Sequence, residues 1–177
     1  MLAGLLLVLW FVGRGSAWGQ PIKPLPPLHR YESRSQQFVV FGAQLGTSLG
    51  APALSLIKSN YVQLEPTVLV LTCERVKVEL LNLLGASDTW AGQIQVTVRG
   101  DFPATGMVVV ESQWFPEGWR YRMVLPGQME RSRLVRALTR AILLEVANRH
   151  NRTQRLANIP LWLEEGLATH LLAVQGE

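Results

Sequence analysis

The last third of the chain contains two apolar helical segments, and both carry carboxylates within the apolar pattern. The first reads LVRALTRAILLEVANRH and contains Glu145, and the second reads IPLWLEEGLATHLL and contains Glu164 and Glu165. Apolar residues that recur every three or four positions predict helices that bury one face. A carboxylate on such a face either belongs to a functional site or is a buried charge satisfied by an arginine, and the sequence pattern is the same in both cases.

The segment before these helices predicts a β-sheet. Gln93 to Arg99 alternates between apolar and polar side chains, which is typical of a half-buried strand. Further strands are predicted over residues 37–41, 107–111 and 119–123, from their β-branched and aromatic residues. Strand, helix, strands and two helices is the order of an α+β fold.

A helix is predicted over residues 67–84, because its apolar residues recur in steps of four and three and Gly85 follows as a stop signal. The face that packs on the sheet is predicted to contain Leu69, Cys73, Val76, Leu80 and Leu83. Cys73 is the only cysteine, which excludes an internal disulfide and a cysteine-based zinc site.

Length and composition fit one globular domain, since 48% of the 177 residues are hydrophobic and 17% are charged. Residues 1–19 are predicted to be a signal peptide, because an apolar run is followed by small residues at Ala17 and Gly19. The run is shorter than the roughly 20 apolar residues that span a bilayer, although an uncleaved anchor is an alternative. Residues 20–36 are Pro-rich and predict a surface linker, and residues 37–177 form the domain. The protein is predicted to be secreted or periplasmic.

The second helical segment includes Pro160-Leu161-Trp162-Leu163-Glu164-Glu165-Gly166-Leu167-Ala168. This resembles the P-x-W-L-x-E-G-L-A helix of the gluzincins, zinc metallopeptidases of the peptidase-MA type, in which the glutamate at the Glu165 position is the third zinc ligand. The family's other helix carries H-E-x-x-H, with two histidine ligands and a glutamate as general base. That frame is here Leu144-Glu145-Val146-Ala147-Asn148. The resemblance covers roughly residues 37–174 and implies a zincin-like N-terminal lobe, a mixed β-sheet packed with helices, whose edge runs beside the metal site.

Three metal-supporting residues of the family are missing. Leu144 and Asn148 stand at the histidine positions, and Thr169 replaces a carboxylate that orients one histidine. Because leucine cannot bind a metal and asparagine offers only an amide oxygen, we expect no zinc and no other cofactor. Glu145 would then be a vestigial general base. We expect it to approach Glu165 without an intervening cation, which would raise the pKa of the pair.

Two catalytic alternatives follow from the same residues. In one, substitute ligands hold zinc and Glu145 serves as general base of an active metallopeptidase. His29, His150 and His170 do not share the ligand face, however, and are predicted to lie at the surface or at helix ends. In the other, Glu145 and Glu165 act as an acid and base pair of the glycosidase kind. Trp119 and Trp162 are predicted to be packing anchors.

The partners follow from charge and from the sheet. The formal net charge is +4, and Arg133, Arg136 and Arg140 share one helix face, which is either a solvated face or a surface for an anionic envelope component. Nucleic acid is not expected for an exported domain, and membrane contact is expected only if the N-terminal segment is not cleaved. The second helical lobe of the gluzincins is predicted to be missing, since the sequence stops at Glu177. We therefore predict a catalytically inactive metallopeptidase-like domain that binds a peptide, a protein or an envelope component along the sheet edge, by strand addition.

Overall fold

The computed structural model describes residues 27–43, 60–151 and 153–174, and it has an α+β fold. The elements in chain order are β1 (His29–Glu32), β2 (Phe38–Gly42), β3 (Tyr61–Gln63), α1 (Pro66–Leu84), β4 (Gln93–Arg99), β5 (Val110–Phe115), β6 (Gly118–Pro126), β7 (Gln128–Glu130), α2 (Arg131–Asn148) and α3 (Leu161–Val174).

The main sheet is mixed and has five strands in the order β1-β2-β4-β6-β5. The three central strands run parallel to one another, and β1 and β5 are antiparallel strands at the two ends of that order. Alternate residues of β4 and β6 are buried, so these strands present one apolar face. The register pairs Val96 with Met123 within that face. A second, two-stranded sheet joins β3 and β7.

Helix α2 is the central helix of the domain. It contacts α1, α3 and the strands β5, β6 and β7, so side chains on most of its circumference are buried. The core between helices and sheet includes Phe38, Leu80, Tyr121, Leu138 and Ile142. A polar side chain on α2 therefore needs a partner within the protein, because little of the helix surface meets water.

The structure confirms the strongest periodic patterns and corrects the weaker ones. Strand β4 has the predicted bounds, and α1 differs by one residue at its start. The strand predicted over residues 107–111 begins three residues later, because the hairpin turn at Pro116–Glu117 sets the pairing of Phe115 with Gly118. Strands β1, β3 and β7 were not predicted, since each has only three or four residues with no apolar alternation.

Part of the predicted linker is a strand. Residues 29–32 lie within the predicted linker 20–36, yet they pair antiparallel with β2, with Tyr31 opposite Val40. The predicted signal peptide and the first residues of the linker lie outside the described residues. Within the described ranges, no helix combines the length and the apolar character needed to cross a membrane.

Two details of the predicted core are wrong. On α1, Leu83 is 45% exposed, whereas Lys77 is 2% exposed and occupies the inner face. The Lys77 ammonium is satisfied there by Glu74 at 3.0 Å and Asp88 at 3.2 Å. Trp119 is buried as predicted, but Trp162 is 74% exposed and does not belong to the hydrophobic core.

Candidate functional site

Glu145 lies in the last turn of α2 and is 1% exposed. Its Oε1 accepts a hydrogen bond from the backbone N–H of Ala91 at 3.0 Å, and its Oε2 accepts one from the Arg149 guanidinium at 2.8 Å. Arg149 follows Glu145 by one helical turn, which is the spacing at which helical side chains pair. Both carboxylate oxygens are thus engaged within the protein.

Arg149 and Glu145 together hold the loop between α1 and β4 against the end of α2. The Arg149 side chain is 5% exposed, and its Nη1 donates to the Ser87 carbonyl at 2.7 Å. Its guanidinium also lies 5.7 Å from the centroid of the Trp90 ring, which Lys77 approaches at 5.8 Å. The pair therefore positions residues 87–92, which form one wall of the site.

Burial raises the pKa of the Glu145 carboxyl above its ordinary value, and the backbone N–H groups of Ala91 and Gly92 and the Arg149 charge oppose that shift. The upward direction of the Glu145 pKa and its cause in burial agree with the prediction, whereas the like charge of Glu165 does not contribute to the shift. These contacts give Glu145 a structural role, because it links the α1–β4 loop to Arg149 at the end of α2.

The two positions that correspond to the histidine ligands are occupied by packed residues. Leu144 is 3% exposed and belongs to the apolar core, and its carbonyl accepts hydrogen bonds from the Tyr121 hydroxyl and from the Asn148 side chain. Asn148 is 2% exposed, and its Oδ1 accepts a hydrogen bond from the Ala157 N–H at 2.9 Å. Asn148 therefore fastens the connection between α2 and α3.

Glu165 is held away from these positions. Its carboxylate accepts a hydrogen bond from the Arg136 Nε at 2.8 Å, and the side chain of Glu165 is 44% exposed and that of Arg136 40% exposed. Arg136 precedes Leu144 by eight residues, which is roughly 12 Å along a helix axis. The expected approach of Glu145 and Glu165 without a cation is wrong, because each carboxylate is paired with its own arginine.

The ligand set for zinc that the resemblance implies does not fit this arrangement. The Leu144 side chain has no atom that can bind a metal, and the Asn148 amide is hydrogen-bonded to backbone groups of Leu144 and Ala157. The Glu165 carboxylate is in an ion pair with Arg136. No group of three His, Cys, Asp or Glu side chains in the described ranges is arranged to hold a metal. The histidines are exposed, as predicted, and so is the residue at the position of the orienting carboxylate: His29, His150, His170 and Thr169.

A pocket of about 420 Å³ opens beside Glu145, between the end of α2, the α1–β4 loop and the β5–β6 turn. Its walls combine aromatic and polar side chains, namely Trp114, Trp119, Tyr121, Glu117, Glu145, Asn148, Arg149 and Asn151. A larger pocket of about 700 Å³ lies between β3, α1 and the start of α2. The smaller one is the better candidate site, because several polar groups converge on an aromatic wall there.

The arginine face of α2 is tied to the protein itself. Arg133 donates to the carbonyls of Ala104 and Gly106, and Arg140 bonds Glu164 at 2.6 Å. With Arg136 on Glu165, all three arginines of this face have partners within the chain. Such pairing reduces the charge that the face offers to an anionic partner.

Three contributors to the site were missed in the sequence. Arg149 follows Glu145 by one helical turn in the sequence, and this spacing, at which helical side chains form ion pairs, could have identified it. Trp90 and Tyr121 gave no such signal, because their contacts with Arg149 and with the Leu144 carbonyl depend on how the loop and sheet pack on α2.

Comparison of the chain with protein-family models, with curated proteins and with solved structures finds no match in any of the three. The function of this protein must follow from its own geometry.

Proposed function

We propose that this protein is an exported, catalytically inactive domain, related to the first lobe of the gluzincins, that binds an extended peptide as an added strand on β5. The observation that carries the proposal is the position of β5, which is the last strand of the main sheet and leads into the pocket beside Glu145.

The free edge of β5 supplies the binding groups. Strand β5 pairs with β6 on one side, and no strand of the described ranges pairs with its other side. An edge of this kind carries main-chain N–H and C=O groups that can pair with a further strand. Trp114 belongs both to β5 and to the pocket lining, so a peptide along this edge passes the mouth of the pocket.

The contacts of the site support binding without hydrolysis. Glu145 would be the general base under the gluzincin resemblance, but it is committed to Ala91 and Arg149. The ligand positions at Leu144 and Asn148 are packed and hydrogen-bonded, so they offer nothing to a metal that would activate water. Export is supported by the sequence of residues 1–19 and places the peptide partner outside the cytoplasm.

The alternative, an active zinc peptidase, makes a different prediction. Metal analysis of the purified mature protein, combined with mass spectrometry of incubated peptides, separates the two. Stoichiometric zinc together with cleavage products would contradict the proposal, whereas intact peptides that remain bound would support it.

Strand addition predicts a dependence on which amides of the peptide are blocked. In a β-strand, the main-chain N–H and C=O groups of successive residues point to opposite edges, so those of every second residue point to the same edge. We therefore expect that N-methylation of one alternate set of residues in a Thr/Val hexapeptide abolishes binding, whereas methylation of the other set leaves the dissociation constant nearly unchanged. Isothermal titration calorimetry with the two methylated peptides and the parent measures this.

A matched pair of protein variants tests the choice of edge. Ser112→Pro on β5 and Arg30→Pro on β1 each place proline where the backbone N–H points to the free edge of the strand and not to the neighbouring strand. Ser112→Pro should weaken peptide binding and Arg30→Pro should not, with circular dichroism confirming that both variants fold. Equal sensitivity to both methylated peptides, or loss of binding with Arg30→Pro alone, would contradict binding at β5.

A further inference from the structure

The face of the main sheet opposite the core carries exposed polar side chains. Alternate residues of β6, which include Trp119 and Tyr121, belong to the core beneath the helices. Arg120 and Arg122 occupy the intervening positions, so they project from the opposite face, where both are exposed. We call this opposite face the outer face. A peptide that pairs with β5 would extend it, because every second side chain of the added strand lies on that face.

The Arg120 side chain extends from β6 to the edge strand β5. Its guanidinium carbon lies 4.6 Å from the centroid of the Phe115 ring, and Phe115 belongs to β5. The backbone of Arg120 is paired opposite Gln113, so the side chain crosses to the next outer-face position along β5, beside the hairpin turn. A guanidinium over an aromatic ring is attracted by the ring face. The contact therefore holds a positive charge above the edge strand.

The Arg120 charge has no acidic partner among the described residues, where the Phe115 ring is its one recorded contact. The arginines on the exposed face of α2 differ, since each is tied to a carbonyl or a carboxylate. Two glutamates lie near the hairpin. Glu111 stands at the other end of β5, opposite Arg122, which offsets its charge, and Glu117 lines the pocket on the opposite face of the sheet. The Phe115 end of the outer face is thus positively charged.

An added strand would bring its own side chains next to this charge. Neighbouring strands lie about 4.8 Å apart, and side chains directly opposite each other on one face have Cβ atoms roughly 5 Å apart. A peptide residue opposite Phe115 would therefore project beside the ring on which the Arg120 guanidinium rests. An open groove of about 360 Å³, lined by Gln113, Phe115, Arg120 and Arg122 among others, leaves room for it. A carboxylate can accept two parallel hydrogen bonds from a guanidinium.

We infer that the outer face selects an acidic side chain of the peptide that pairs with β5, at the position beside Phe115. This inference rests on the proposed strand addition, because β5 brings the peptide to Arg120. An acidic polysaccharide also carries carboxylates or sulfates. It requires a continuous row of cations, however, and Glu111 interrupts the positive charge along β5. One unpaired cation beside a free strand edge favours a peptide.

The test uses the full mature protein and an acetylated, amidated Thr/Val hexapeptide in which glutamate replaces each position in turn. Each glutamate peptide is matched by one with glutamine, which has the same shape without the charge. At one position we expect glutamate to bind about fivefold more tightly than glutamine in calorimetric titration at low ionic strength, as for one partly exposed ion pair. The positions directly before and after it should show no preference, because their side chains point to the opposite face. Salt at about 1 M should reduce the preference.

Substitutions of Arg120 locate the effect. Arg120→Gln should abolish the preference for glutamate over glutamine. Arg75→Gln is the matched control, since it removes the same charge from an exposed arginine on α1 and should keep the preference. Arg120→Glu should transfer the preference to a peptide with lysine at the same position. Because Arg120 is exposed, we expect circular dichroism to show that both of its variants fold.

The outcomes separate this inference from the proposal on which it rests. Equal binding of glutamate and glutamine peptides at every position would overturn the inference but keep strand addition. An equal loss of the preference in Arg120→Gln and Arg75→Gln would overturn it in favour of a general charge effect. Binding of dextran sulfate that Arg120→Gln abolishes and that the uncharged peptide does not displace would overturn it in favour of an acidic polysaccharide. If no peptide of any set binds, the proposed function itself fails.

Discussion

Replacement of Arg149 by methionine is expected to lower the free energy of unfolding by about 3–5 kcal/mol near neutral pH. Glu145 is 1% exposed and bonds Arg149 at 2.8 Å, so the substitution leaves a buried carboxylate without its cation. The variant also loses the bond to the Ser87 carbonyl and the contact with the Trp90 ring. Urea denaturation followed by circular dichroism measures the loss.

The same substitution should make stability more dependent on pH. Burial already raises the pKa of Glu145, and removal of Arg149 should raise it further. A carboxyl whose pKa is higher in the folded state contributes stability below its unfolded pKa of about 4.3 and loses it as pH rises through the folded pKa. The penalty of Arg149→Met should therefore be smaller at pH values near or below the unfolded pKa than at neutrality.

Two controls show whether burial is responsible. Arg136→Met breaks an ion pair whose side chains are about half exposed, so it should cost less than about 1 kcal/mol. Addition of Glu145→Gln to Arg149→Met removes the unpaired charge and should restore part of the stability at neutral pH. Equal penalties for Arg149→Met and Arg136→Met would contradict the description of Glu145 as a buried, paired carboxylate.

The sequence predicts those parts of the fold in which local pattern and tertiary packing agree. The alternation in β4 and the periodicity of α1 exist because one face of each element meets the core, so they can be read directly. Strands β1, β3 and β7 form only because neighbouring strands offer hydrogen-bond partners. The sequence of a short polar segment does not indicate that such a neighbour is present, so these strands could not be predicted. Lys77 shows the same limit, since its burial depends on acids at Glu74 and Asp88 from two parts of the chain.

The candidate site was predictable in its position but not in its contacts. The position of Glu145 within an apolar helix identified it as a candidate residue. That pattern indicated either a functional site or a buried charge paired with an arginine. The choice between them depends on the α1–β4 loop, which supplies the Ala91 N–H and the Ser87 carbonyl to the pair. The exposure of Trp162 and the pairing of Glu165 likewise depend on the orientation of α3, which helical periodicity does not specify.

The strongest test of the geometry is an attempt to restore the zinc site by Leu144→His with Asn148→His. If Glu165 faced these positions, the two imidazoles and the carboxylate would form a zinc site. Glu165 instead bonds Arg136, and Leu144 lies in the apolar core. We therefore expect the double variant to lose at least about 3 kcal/mol of stability, because a core leucine is replaced by a polar ring and the Asn148 bond to Ala157 is lost. We also expect no tight zinc binding in calorimetric titration.

A surface pair on α3 provides the matched control. Gly166 and His170 are exposed and one turn apart, and a Cβ at Gly166 would meet no atom within 4 Å. The Gly166→His variant should therefore fold normally, and its two accessible imidazoles should bind zinc weakly. Stoichiometric, tight zinc binding by the Leu144→His, Asn148→His variant, with stability above that of the metal-free protein, would show that α3 can bring Glu165 to α2. That result would strengthen the gluzincin resemblance at the expense of the contacts described for Arg136.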